Sequence, residues 1–117
     1  MNPYFDSNKN PVINLDVFLS SWKTITCFID TGFSGGCALP EVFFKEFSHE
    51  SIGYQEYELA DGSSVTFPIY ITTIRFLKTR KQVTLFFTKS NKGLVGIEFL
   101  SHFNWLFDFQ NSHIKVM

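Results

Sequence analysis

Between residues 12 and 19 apolar and polar side chains partly alternate: Ile13, Leu15, Val17 and Leu19 lie on one face, with Asn14 and Asp16 opposite. A period of two marks a strand with one buried face and one wet face, which a helix cannot present. Residues 24–29 are rich in β-branched and aromatic side chains and read as the returning strand after a turn at 20–23. Further strands are expected over 54–59, 65–76, 82–88, 105–109 and 113–116. Asp61-Gly62 is a hairpin turn signal, and 78–81 and 110–112 are turns. Pro68 cannot donate to a ladder, so it marks an edge, a bulge or a bend. Two short helices complete the reading. One begins at Leu39-Pro40-Glu41, with proline at its first position, and ends near Phe47. The other covers 97–103, with Ile97, Leu100 and Phe103 on one face. The chain is thus all-β with short helices, in a single domain spanning 1–117.

Composition narrows the function classes. With 10 basic and 11 acidic residues the net charge is -1, so the basic surplus of a nucleic-acid binder is missing. No apolar run approaches the ~18 residues a membrane helix needs, and the polar start is no signal peptide. A soluble, cytoplasmic protein is expected. Cys27 and Cys37 are too few for a disulfide framework and read as free thiols. Cys27 is a small buried hydrophobe on a strand, and Cys37 belongs to a loop with no basic neighbour to activate it. The 15 phenylalanines divide evenly between two expectations: a Phe-rich core, or a surface that a partner or ligand covers. His49, His102 and His113 lack metal-ligand spacing and read as surface or satisfied core residues. Lys78, Arg80 and Lys81 read as a solvated hairpin tip.

Asp30 stands at the end of the strand carrying Ile25, Cys27 and Ile29, and runs into Thr31-Gly32-Phe33-Ser34-Gly35-Gly36. Three glycines in five positions imply close backbone approaches. A carboxylate there can cap the turn or do chemistry. The loop is no phosphate cradle, because the Lys-Ser/Thr ending is absent. A faint internal echo links Phe28-Ile29-Asp30-Thr31-Gly32 to Lys92-Gly93-Leu94-Val95-Gly96-Ile97: apolar residues enter a glycine, and a helix follows.

The order Asp30-Thr31-Gly32-Phe33-Ser34-Gly35, then Leu59-Ala60-Asp61-Gly62, then Leu94-Val95-Gly96 before a helix, resembles the retropepsin-like aspartic peptidases across residues 14–116. The Asp-Thr-Gly-Phe-Ser-Gly form is most similar to small archaeal and bacterial relatives. The resemblance implies a closed acid-protease barrel with one lobe per chain. Asp30 would be the catalytic carboxylate. Thr31 would bond across a two-fold axis, and Gly32 would let two loops approach. Leu94, Val95 and Gly96 would pack beside the loop, and Asp61 and Gly62 would form the flap tip. The last two strands would help knit a dimer. Phe33 departs from the pattern, since Ala or Ser is usual there; its bulk could narrow the pocket, perturb the carboxylate or alter the dimer.

One Asp-Thr-Gly supplies one carboxylate, so the second must come from another copy through a C2 axis. Two carboxyls in contact share one proton: the ionised one draws a proton from water, and the other hydrogen-bonds the scissile carbonyl. The expectation is a homodimeric endopeptidase acting on peptides or proteins, needing neither metal nor organic cofactor. Two alternatives stay open: the same fold kept as a dimerisation or peptide-binding module with little turnover, and an unrelated small barrel whose Asp-Thr-Gly is structural.

Overall fold

The computed structural model describes residues 2–117. The strands follow in the order β1 (Tyr4–Phe5), β2 (Pro11–Phe18), β3 (Trp22–Ile29), β4 (Cys37–Pro40), β5 (Gly53–Glu58), β6 (Ser64–Phe76), β7 (Thr79–Thr88), β8 (Gly93–Val95), β9 (Trp105–Asp108) and β10 (His113–Val116). A 3-10 helix covers Glu41–Glu46, and helix α1 covers Ile97–Leu100. The barrel closes because β2 pairs with both β3 and β6, completing the ring β2-β3-β8-β4-β7-β6. The expected closed, mostly β architecture is therefore the observed one.

The alternation read from the sequence decides the inside and the outside of this wall. Ile13, Leu15 and Val17 of β2 are buried, as are Ile25, Cys27 and Ile29 of β3. On the outer face the register pairs are polar: the Thr26 hydroxyl donates to Asn14 Oδ1 at 2.7 Å, and the Thr24 hydroxyl to Asp16 Oδ1 at 2.6 Å. A one-residue slip would bury Asn14 and Asp16, so register is strongly specified here. Pro68 sits opposite Tyr54 of β5, where β6 has not yet met β7, so its missing N–H breaks no second ladder.

Several sequence expectations are corrected. The first expected helix is present as a 3-10 helix, Glu41–Glu46, with Pro40 as its N-cap and Phe47 as its C-cap; Pro40 is also the last residue of β4. All four residues of β4 are buried, and pairing between β7 and β8 makes a strand of a segment that the sequence did not mark as one. Cys37 accordingly lies in the core and not in a loop. The neighbouring Cys27 thiol, and then burial, push its own thiol up. The second helix is shorter than expected and rotated: Ile97 is 42% exposed while Phe99 and Leu100 are buried. The β6–β7 turn is Leu77-Lys78, both at positive φ, so Arg80 and Lys81 belong to β7. Arg80 lies over the Trp22 ring at 5.5 Å, with Arg75 closer at 4.2 Å.

The phenylalanines resolve toward partial exposure. Of 15, only Phe47, Phe76, Phe86 and Phe99 are buried, and most of the others line walls and seams. The last two strands form a separate hairpin, β9 against β10, whose Trp105 stacks on Phe76 at 6.3 Å and donates its indole N–H to Leu100 O at 2.8 Å. Among the described residues no helix is long and apolar enough to cross a membrane. His49, His102 and His113 are all exposed.

Candidate active site

Strands β3 and β8 lie side by side and parallel, with Phe28 opposite Leu94 and Ile29 opposite Val95. The two halves of the faint sequence echo are therefore physical neighbours. At the end of β3 the Asp30 N–H donates to Val95 O at 3.0 Å. The chain then turns sharply: Phe33 N–H donates to Asp30 O at 3.2 Å, and Gly32 N–H donates to the Asp30 carboxylate Oδ1 at 2.9 Å. This carboxylate shapes its own loop and remains only half-buried.

The loop is tied down from behind by the segment after β8. Gly96 N–H donates to Gly36 O at 3.0 Å, Ile97 N–H to Phe33 O at 2.8 Å, and Glu98 N–H to Gly35 O at 3.2 Å. A Cβ on Gly96 would stand 2.4 Å from the carbonyl oxygens of Phe33 and Gly35, so no larger residue fits. Glu98 adds a brace absent from the sequence reading. Its carboxylate accepts the Thr84 N–H at 2.5 Å and the Thr84 hydroxyl at 3.2 Å, and Thr84 Oγ1 accepts the Gly36 N–H at 3.3 Å. Burial, and then the Glu98 charge, push the Tyr57 phenol above its ordinary range.

Opposite the loop stands the β5–β6 hairpin. Its tip is closed by Leu59 N–H to Ser63 O at 2.7 Å and Gly62 N–H to Leu59 O at 2.9 Å, with Gly62 at φ 87°. Asp61 Oδ1 accepts the hydroxyl of Ser63 at 2.6 Å and its N–H at 2.9 Å, which hold the carboxyl below its ordinary range. Asp61 and Gly62 thus form the turn, as their sequence suggested. Leu59 and Ala60, just before them, are the tip residues that face the cleft.

Between loop and hairpin lies a cleft of about 800 Å³. Asp30, Gly32, Phe33, Ser34 and Leu94 line it, so the structure brings together five of the residues singled out by sequence. Val95 and Gly96 lie beneath the loop, fully buried, and Thr31 is exposed beside the cleft. The sequence reading missed the aromatic wall. Tyr57, Phe67 and Phe86 converge there from β5, β6 and β7, with Phe67 stacked on Phe86 at 4.4 Å and Tyr57 4.9 Å from Phe86. The sequence marked 65–76 as a strand, but it could not say that Val65 and Phe67 meet the cleft that Asp30 lines. Glu56 and Glu58 join Asp30 as the charged lining residues, all acidic. Among the described residues, no cluster of His, Cys, Asp and Glu is arranged to hold a metal ion.

The architecture has solved counterparts. The crystal structure of a retropepsin-like aspartic protease from Rickettsia conorii superposes with a TM-score of 0.61 at 14% identity, covering 91% of this chain and 82% of that one. The solution structure of the simian foamy virus (mac) protease superposes with a TM-score of 0.52 at 12% identity, covering 73% of this chain and 86% of that one. No protein-family model matches the sequence, and no curated protein matches it. The fold is the retropepsin-like acid-protease fold. At such identities the likeness is one of architecture, and the chemistry has to be argued from the cleft itself.

Proposed function

We propose that this chain is one subunit of a homodimeric aspartic endopeptidase, in which Asp30 of each copy activates a water for hydrolysis of a peptide bond. The observation that carries this reading is the position of Asp30: at a strand end, on a braced loop, in the lining of a large cleft opposite a hairpin flap. One lobe offers one such carboxylate, so a C2 partner would supply the second. The pair would hold a single proton between them. The ionised Asp30 would take a proton from water, and its protonated mate would hydrogen-bond the scissile carbonyl oxygen. Exposed Thr31, next to Asp30, is suited to bond across the two-fold axis, and exposed Leu106 on the β9–β10 hairpin offers apolar surface to a partner. The substrate is a peptide or protein segment laid along the cleft. Free, buried Cys27 and Cys37 suit a reducing compartment, so we place the enzyme in the cytoplasm.

A mixed peptide library, cut across about pH 3 to 8, tests the reading by comparing wild type with Asp30→Asn. Cuts that vanish in the variant support it; cuts that persist overturn it. Sedimentation should show a dimer that Thr31→Ala weakens, and an unchanged dimerisation constant would remove the cross-axis role. A second reading, a peptide-binding module without turnover, draws on the Phe33 ring in the cleft lining. A dimer that binds peptides and cuts none would favour it.

A further inference from the structure

We infer that Phe33 is a specificity-determining residue, whose ring fills the pocket beside Asp30 and limits the substrate side chain seated there to small apolar residues. The inference rests on the reading of the cleft as a peptide site, whether or not the bound peptide is cut. The Phe33 ring meets Tyr57 and Phe86 edge-on, each with centroids 5.6 Å away. Its other side lies against glycine. A Cβ on Gly35 would stand 2.7 Å from ring Cε1 and Cζ, and one on Gly96 would stand 2.6 Å from Cδ2. Neither glycine owns a side chain that could move in if the ring were removed. Phe86 is itself fixed by its stack on Phe67. Truncation at Phe33 would therefore leave an opening of about one ring rather than a collapsed wall.

That opening would join the cleft, because Phe33 is part of its lining. It would open on the same cleft as the carboxylate, since Asp30 and Phe33 both line it. Its walls would be aromatic and apolar, suited to a large apolar side chain. In wild type the same space is occupied, so a large side chain clashes and a small one fits. An apolar pocket that gains or loses a few carbons discriminates by roughly 10- to 200-fold.

The test uses the Asp30→Asn dimer, so that binding is read without cleavage. Two octapeptide series carry Ala or Phe at each position in turn, and their affinities are measured by calorimetry. At one position the Ala peptide should bind at least about 10-fold more tightly than the Phe peptide. Adding Phe33→Ala should reverse that order at the same position, and Phe33→Leu should leave it intermediate. Phe33→Leu keeps the test open if the alanine variant fails to fold. An unchanged order in both variants, or no binding of any peptide, overturns the inference. Cleavage by the Asp30-intact enzyme separates the two readings. A switched binding preference without cleavage sinks the peptidase and keeps the role of Phe33. Cleavage whose size preference ignores Phe33 does the reverse.

Discussion

The loop at Asp30 and the hairpin tip at Asp61 face one another across the same cleft, and they are held in different ways. The loop is tied to β8 and α1 by three backbone hydrogen bonds over the span Gly96 to Glu98, and by the Glu98–Thr84–Gly36 chain behind them. Among the described residues the hairpin tip bonds only to itself, through Leu59, Gly62 and Ser63, and its strands pair on one side until Tyr70. Glycine shows the contrast most sharply. Gly96 is required by what surrounds it, whereas nothing lies within 4 Å of a Cβ on Gly62, which is required only by its φ. One side is bonded to the elements behind it; the other is held by its own turn, and the expected cost of opening it is lower.

The same substitution in both places gives the strongest test. Gly96→Ala should cost about 3 kcal/mol in denaturant unfolding or prevent folding outright, because backbone carbonyls cannot retreat. A loss below about 1 kcal/mol would mean that the loop is not tightly held. Next in size, Glu98→Ala should cost about 2 kcal/mol by stripping the Thr84 N–H of its acceptor, and Glu98→Gln should recover much of it. Equal losses for both would show that charge, not hydrogen bonding, braces the loop. Gly62→Ala should cost only about 1 kcal/mol, the strain of a left-handed residue. Amide exchange should then divide the cleft in two, with Gly96, Ile97 and Glu98 protected and Leu59 and Gly62 open. Equal protection of the two sets would erase the contrast.

The smallest expected effect is the response of the tip to acid. Asp61 has a lowered folded pKa, so the stability it adds is complete above the ordinary carboxylate value, about 3.9. That stability is lost as pH falls through the lowered folded value, when protonation weakens the bonds from Ser63. Exchange at Leu59 and Gly62 should quicken there, and Asp61→Asn should remove the pH dependence. An unaltered profile would show that the turn owes nothing to that charge.

Local chemistry alone determined much of this protein. The alternation of Ile13, Leu15 and Val17 placed a strand and chose its inner face, because a period of two is a property of the chain before it folds. Asp61-Gly62 placed the hairpin, and the glycine-rich run after Asp30 marked the loop. Only the tertiary structure decided how these pieces meet. Strand β4 was illegible because Cys37–Pro40 is short and ends in proline, and it becomes a strand only by burial between β7 and β8. The orientation of α1 followed from packing, which buried Phe99 and left Ile97 outside. Phe67 and Phe86 are 19 positions apart in the chain, and Thr84 lies 14 positions before Glu98. The antiparallel β6–β7 hairpin brings Phe67 to Phe86, while the parallel pairings of β4 with β7 and of β3 with β8 carry Thr84, Glu98 and the Asp30 loop together, and no local pattern encodes those.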